Sequence, residues 1–217
     1  MIASFETAQV TVAAKSKCED HVAVFEFEGG VVLAVADGAG GIGNGAQASR
    51  AVIAELKGTA SVDLDESAWC SLLHQIDHRI GDGESTCVVL AVTVQGIIGA
   101  SVGDSQAWFV HDGGIENLTK RQIRKPLLGS GQAEPVGFSH PTSQGLIVVS
   151  TDGFCNYIRK ERFLREYLWH DFVVLPRKLV EMVRLPSGDL WDDIGIVVCR
   201  PRHIVQSLKR YSLDDVD

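Results

Sequence analysis

A chain of 217 residues, 45% hydrophobic and 22% charged, is long enough for one domain with a substantial core and ordinary in composition for a globular protein. Its formal charge of -8 argues against the basic face that phosphate-backbone binding needs, so nucleic acid is not an expected partner. The five cysteines are odd in number and form no C-x-x-C pair, which supports neither a disulfide framework nor a zinc site.

In chain order, FETAQVTVAA (5–14), HVAVFEFE (21–28) and VVLAVA (31–36) read as strands, the last two joined by a hairpin turn at Gly29-Gly30. Residues 44–57 read as a helix, with Asn44 as N-cap, Gln47 three residues on, and Val52, Ile53 and Leu56 at helical spacing. Trp69, Leu72, Leu73, Ile76 and Ile80 mark a second amphipathic helix over about 66–81. STCVVLAVTV (85–94), GIIGASVG (96–103) and SQAWFVHDG (105–113) read as a three-strand meander punctuated by Gly96 and Gly103-Asp104. Residues 117–143 are polar and marked by Gly and Pro, which predicts a loop or flap. LIVVS (146–150) is a strand that ends in Thr151-Asp152-Gly153. Two helical stretches fill about 154–184, with Pro176 beginning or breaking the second. IGIVVCR (194–200) is a last strand, entered from Trp191-Asp192-Asp193. Strands in meanders, with paired helices inserted together, predict an α+β fold and not strict βαβ alternation. Residues 1–200 form one domain in this reading, and 201–217 a C-terminal tail or short helix. No leader segment starts the chain and no apolar stretch reaches the roughly 20 residues that span a bilayer, so a cytoplasmic location is expected.

Gly38, Gly40 and Gly43 satisfy G-x-G-x-x-G between a strand and a helix, where a dinucleotide fingerprint belongs. Asp63 and Asp65 even lie where a ribose-binding acid would sit. Yet no second buried strand precedes them, and Asp37 would meet a pyrophosphate as a like charge. Another pattern accounts for that aspartate. Glu19-Asp20 precede a strand and Asp37-Gly38 follow one; Asp104 sits in a turn between two; Asp152-Gly153 follow a strand and Asp192-Asp193 precede one. Asp-Gly is also an ordinary turn dipeptide, and Asp112-Gly113 is read as such. The ordered set is not. Oxygen donors without supporting His or Cys suit hard cations such as Mg²⁺ or Mn²⁺. Two of these about 3.5–4 Å apart can activate water and neutralise a phosphoryl group.

The segments CED (18–20), VLAVADGAGG (32–41), GASVGDSQAWFV (99–110), LIVVSTDGF (146–154) and WDDIGIVV (191–198) together resemble the metal-dependent type 2C protein serine/threonine phosphatases, in the order that family has them. The resemblance implies an antiparallel β-sandwich flanked by helices, four layers deep (αββα), with a dinuclear Mg²⁺ or Mn²⁺ site at one end. By position, Asp37 would bridge both metals and the Gly38 carbonyl would bind one. Glu19, Asp152 and Asp192 would complete the pair, Asp20 would orient water from behind, and Asp104 would serve a third, weaker metal. Activated water would attack phosphoserine or phosphothreonine of a protein in line, with no phosphoenzyme, opposing a serine/threonine kinase. A monomer is expected.

The chain also departs from that pattern. Lys15 stands where the family has a phosphate-binding arginine; it keeps the charge without the bidentate geometry, and reads equally as a solvated strand-end charge. Ala39 and Ile42 occupy positions where many members carry a histidine implicated as general acid. Gln106 replaces an arginine, Asp193 an asparagine and Gly195 a hydroxyl residue, and Asp193 could compete with Asp192 for metal. The 114–145 segment is short for the family's flap. A rival reading is thus a weak or inactive pseudophosphatase acting as a binding module, against which stands the complete set Glu19, Asp37, Asp152 and Asp192. His74 and His78 read as a polar helix face, and Cys155 as a small buried residue rather than a nucleophile.

Overall fold

Ten strands pair into two antiparallel five-stranded sheets in a computed structural model that describes residues 5–39, 44–112 and 114–202. They are β1 (Phe5–Val12), β2 (Asp20–Phe27), β3 (Gly30–Asp37), β4 (Cys87–Thr93), β5 (Gly96–Val102), β6 (Gln106–His111), β7 (Gly114–Asn117), β8 (Val136–His140), β9 (Leu146–Ser150) and β10 (Ile194–Pro201). One sheet has the order β1-β10-β9-β6-β7, the other β2-β3-β4-β5-β8.

The apolar runs of the sequence are strands buried on both faces. In β3, Val31, Leu33 and Val35 enter the core between the sheets, while Val32, Ala34 and Ala36 face helices. β10 divides likewise: Val197 and Cys199 point between the sheets, Ile196 and Val198 outward. The outer faces are covered by α1 (Gly45–Thr59) and α2 (Glu66–Arg79) on the β3 sheet. α3 (Asp152–Cys155), α4 (Lys160–Glu166) and α5 (Leu175–Val183) cover the β10 sheet. The layers therefore run αββα, as expected. Among the described residues no helix is long and apolar enough to cross a membrane.

Several expectations need correction. The three strands 85–113 do not form a meander: β4 pairs with β5, but β6 pairs with β7 and β9 in the other sheet. The chain changes sheets at Gly103-Asp104-Ser105, where Gly103 has φ +97° and donates its N–H to the Ile123 carbonyl at 3.0 Å. Residues 117–143 are not all loop, because β8 adds an edge strand to β5. Leu118, Leu127, Leu128 and Ala133 are buried in the same segment. The β2–β3 turn is Glu28-Gly29, with Gly29 at φ +85°, and Gly30 already pairs with Phe27. Asn44 is the N-cap residue of α1, its carbonyl accepting from Gln47 and Ala48 N–H at 2.8 and 2.9 Å, but its side-chain amide donates to Asp82 at 2.8 Å and makes no cap bond. Pro176 lies in the first turn of α5, so it begins that helix. Gly40, Ile42, Gly43 and the tail from 203 onward lie outside the described residues.

Candidate metal centre

The acids converge because strands of both sheets end at one edge of the sandwich. In one sheet Asp20 opens β2 directly opposite Asp37, which closes β3. In the other, Ser150 at the end of β9 pairs with Gln106 and Ile196 near the starts of β6 and β10. Asp104, Asp152 and Asp192 follow or precede those same ends. Carboxylate oxygens of Asp37, Asp104 and Asp152 all lie within 4.8 Å of one another.

Like charges opposed across a strand pair are unfavourable. Burial, together with the Asp20, Asp152 and Asp192 carboxylates, drives Asp37 well above the usual carboxylate range. Asp20, 3% exposed, is raised mainly by burial, against a hydrogen bond from Thr151. Asp152 is raised by burial, then by Asp104 and Asp192. Such a cluster holds its charge only with cations nearby.

Buried hydroxyls hold the backbone beneath these acids. Asp37 donates its N–H to Thr86 Oγ1 at 3.0 Å, Thr86 returns its N–H to the Asp37 carbonyl at 2.8 Å, and Ser85 Oγ donates to that carbonyl at 2.9 Å. Thr151 Oγ1 donates to Asp20 Oδ2 at 2.7 Å and accepts the Gly195 N–H at 2.8 Å, tying one sheet to the other. Gly38 leaves no space for a side chain: a Cβ there would lie 2.2 Å from the Gly45 carbonyl oxygen at the start of α1. Gly153 is as tight, with Asp193 O 2.0 Å from the position of a Cβ. These glycines let two turns approach the acids closely.

Glu19 stands beside this group, half-buried, and is held by its backbone. Its carbonyl accepts from Ser49 Oγ at 2.5 Å and from Gly38 N–H at 3.2 Å; its own N–H donates to Asp193 Oδ2 at 2.6 Å. Asp193 Oδ1 takes the Ala14 N–H at 2.7 Å. Each Asp193 oxygen thus takes one backbone N–H and clamps the β1–β2 loop. Asp192 is exposed and accepts the Asp193 N–H at 2.9 Å. Lys15 lies exposed in the clamped loop and makes no ion pair among the described residues.

Arg124, from the segment after β7, sits 2.8 Å from Asp104 Oδ2. It was not singled out by the sequence because nothing in a polar loop predicts which cation turns back to the site. Thr86, Thr151 and Ser49 carried no signal either. Gln106 has a scaffold role, its Oε1 accepting from Trp108 Nε1 at 2.8 Å and Asn117 Nδ2 at 3.1 Å. His74 and His78 are exposed on α2. Burial pushes the Cys155 thiol up to about 12, and its sulfur lies 2.9 Å from Ser150 Oγ, so it is a packed thiol.

Three carboxylates, with more nearby and no nitrogen or sulfur donor among them, match the oxygen preference of Mg²⁺ or Mn²⁺. No protein-family model and no curated protein sequence matches the chain. Solved structures do. PppA of Pseudomonas aeruginosa, a key regulatory component of T6SS, is 20% identical, with a TM-score of 0.76 over 92% of this chain and 99% of its own. The serine/threonine phosphatase of S. agalactiae is also 20% identical, with a TM-score of 0.76 over 91% and 99%. The serine/threonine phosphatase PstP of Mycobacterium tuberculosis is 18% identical, with a TM-score of 0.69 over 90% and 98%. The chain has the fold of the bacterial type 2C serine/threonine phosphatases.

Proposed function

We propose that this protein is a Mg²⁺- or Mn²⁺-dependent phosphatase that hydrolyses phosphoserine or phosphothreonine in proteins. The observation that carries the reading is the convergence of Asp37, Asp104 and Asp152 within 4.8 Å at one edge of a sandwich of this fold. Bound divalent cations supply the positive charge that activates water and neutralises phosphoryl oxygens. Asp37, Asp152, Asp192 and Glu19 would hold them with the Gly38 carbonyl, and Asp104 would serve a third. Asp20, fixed by Thr151, orients a proton-bearing partner at the centre from behind. Lys15 and Arg124 offer cationic groups for the phosphoryl oxygens, Arg124 by leaving Asp104. The partner is a phosphoprotein whose phosphate a serine/threonine kinase installs, in keeping with neighbours in fold such as PppA, described as a key regulatory component, and a protein described with the bacterial stressosome, a system that controls signalling.

A second reading, a weakly active binding module, draws on the Arg124–Asp104 pair, which already neutralises one candidate ligand. Phosphate release from a phosphothreonine peptide separates the two. It is measured in Mn²⁺, in Mg²⁺ and in EDTA, beside Asp37→Asn. Release that requires metal and disappears in the variant supports the phosphatase. No release in either metal, from folded protein that binds the ion, leaves the binding module.

A further inference from the structure

A cleft of about 320 Å³ is lined by residues from the segments that follow Asp152 and precede Asp192, and the chemistry above makes no use of it. One wall is aromatic: Tyr157 and Trp191 stack with centroids 5.8 Å apart and planes 12° from parallel. Both rings remain open to solvent, 42% and 62% exposed. Arg159, Arg162 and Arg184 line the rest, together with Met182. Arg162 and Arg184 are steadied by Glu166 and Glu181, each at 3.0 Å, while Arg159 pairs with nothing among the described residues. In a chain of net charge -8, Arg159 is therefore the arginine of this cleft whose charge no carboxylate among the described residues offsets.

Sequence ties this cleft to the acids at two points. Trp191 directly precedes Asp192, and Tyr157 directly follows Asn156, whose amide donates to Asp152 at 3.2 Å. An extended peptide advances about 3.3 Å per residue, so one with a phosphorylated side chain at the acids reaches the cleft within a few residues. Guanidinium forks recognise carboxylates in two-point geometry. An exposed indole offers a flat apolar face that loses little freedom on contact.

We propose that this cleft docks the substrate polypeptide through an acidic segment a few residues from the phosphorylated serine or threonine, with an apolar side chain laid on Trp191. The inference rests on the phosphatase reading and deepens it: acidic phosphosites are the substrate class.

The test compares two phosphothreonine peptides that differ only in three flanking residues, all Asp or all Lys, with p-nitrophenyl phosphate as a small ester. Each is assayed in Mn²⁺ with the wild type and Arg159→Glu. The wild type is expected to favour the acidic peptide by about ten-fold in kcat/KM at low salt, less at high salt, as solvent-facing charges do. Arg159→Glu is expected to erase or reverse that preference, chiefly through KM. If the wild type hydrolyses the small ester yet treats both peptides alike, the docking proposal is overturned and the phosphatase reading stands. If none of the three is hydrolysed, the phosphatase reading falls, and anisotropy of the labelled acidic peptide then decides the cleft. Binding about ten-fold weaker to Arg159→Glu supports it, and equal binding overturns it.

Discussion

Replacing Asp37 by asparagine is expected to stabilise the metal-free protein while removing its response to metal. Asp37 and Asp20 face each other at the mouths of β3 and β2, and both are raised, chiefly by burial. The unfolded chain releases these protons above about pH 3.8, whereas the folded chain retains them. A raised carboxyl therefore costs nothing below that pH and weakens the fold progressively as pH rises toward the folded value, about 7 for Asp20. Each retained proton costs about 1.4 kcal/mol per pH unit, an upper limit near 4 kcal/mol at pH 7 and near 1 kcal/mol at pH 4.5. Local relaxation and counterions halve this, leaving about 2 kcal/mol at pH 7. For a chain of 217 residues that raises Tm by roughly 4–8 °C at pH 7 and by under about 2 °C at pH 4.5. Thermal unfolding in EDTA at the two pH values reads the difference. Added Mn²⁺ should then raise Tm of the wild type and leave the variant unmoved. An equal shift at both pH values, or a fall at pH 7, would refute the electrostatic account.

Asp193→Asn keeps the shape but offers one oxygen to two N–H donors, so it should lose about 1.5–3 kcal/mol in chemical denaturation. Limited trypsin digestion should then cut faster after Lys15 or Lys17, and an unchanged digestion rate would disprove the clamp. The buried Asp77 accepts the N–H groups of Gly129 and Gly131 on Oδ1 and of Ala133 on Oδ2, at 2.7–3.0 Å. Asp77→Asn should cost about 2 kcal/mol, seen as a lower urea midpoint. Gly153→Ala forces a Cβ against the Asp193 carbonyl and should weaken Mn²⁺ binding roughly ten-fold by titration calorimetry.

Of the strands that carry the site, β3, β9 and β10 were legible because they are buried on both faces. LIVVS has no polar interruption, and β9 occupies the same five residues. The acids were legible for the same reason, as charged punctuation at the ends of apolar runs. Sheet membership was not: three residues between β5 and β6 look like a hairpin, and no local pattern says that the chain crosses the core there. β8 escaped because VGFSH, an edge strand, buries only Phe138. The clamping role of Asp193 and the role of Asp77 escaped for another reason. Their partners lie 174 and 179 residues away for the first and 52 to 56 for the second, so a carboxylate that orders a loop looks in sequence like any surface acid.

Asp20 and Asp37 belong to one sheet, Asp152 and Asp192 flank strands of the other, and Asp104 lies on the segment that passes between them. An ion held among them would act as a rivet through both halves of the sandwich. When cations are scarce, repulsion works as a wedge at that rim alone, while the Val31–Val197 interior stays closed. Amide exchange should therefore quicken first at the β2, β3 and β9 ends on the acid side. The protein would then register its ion supply as a local loosening long before it unfolds.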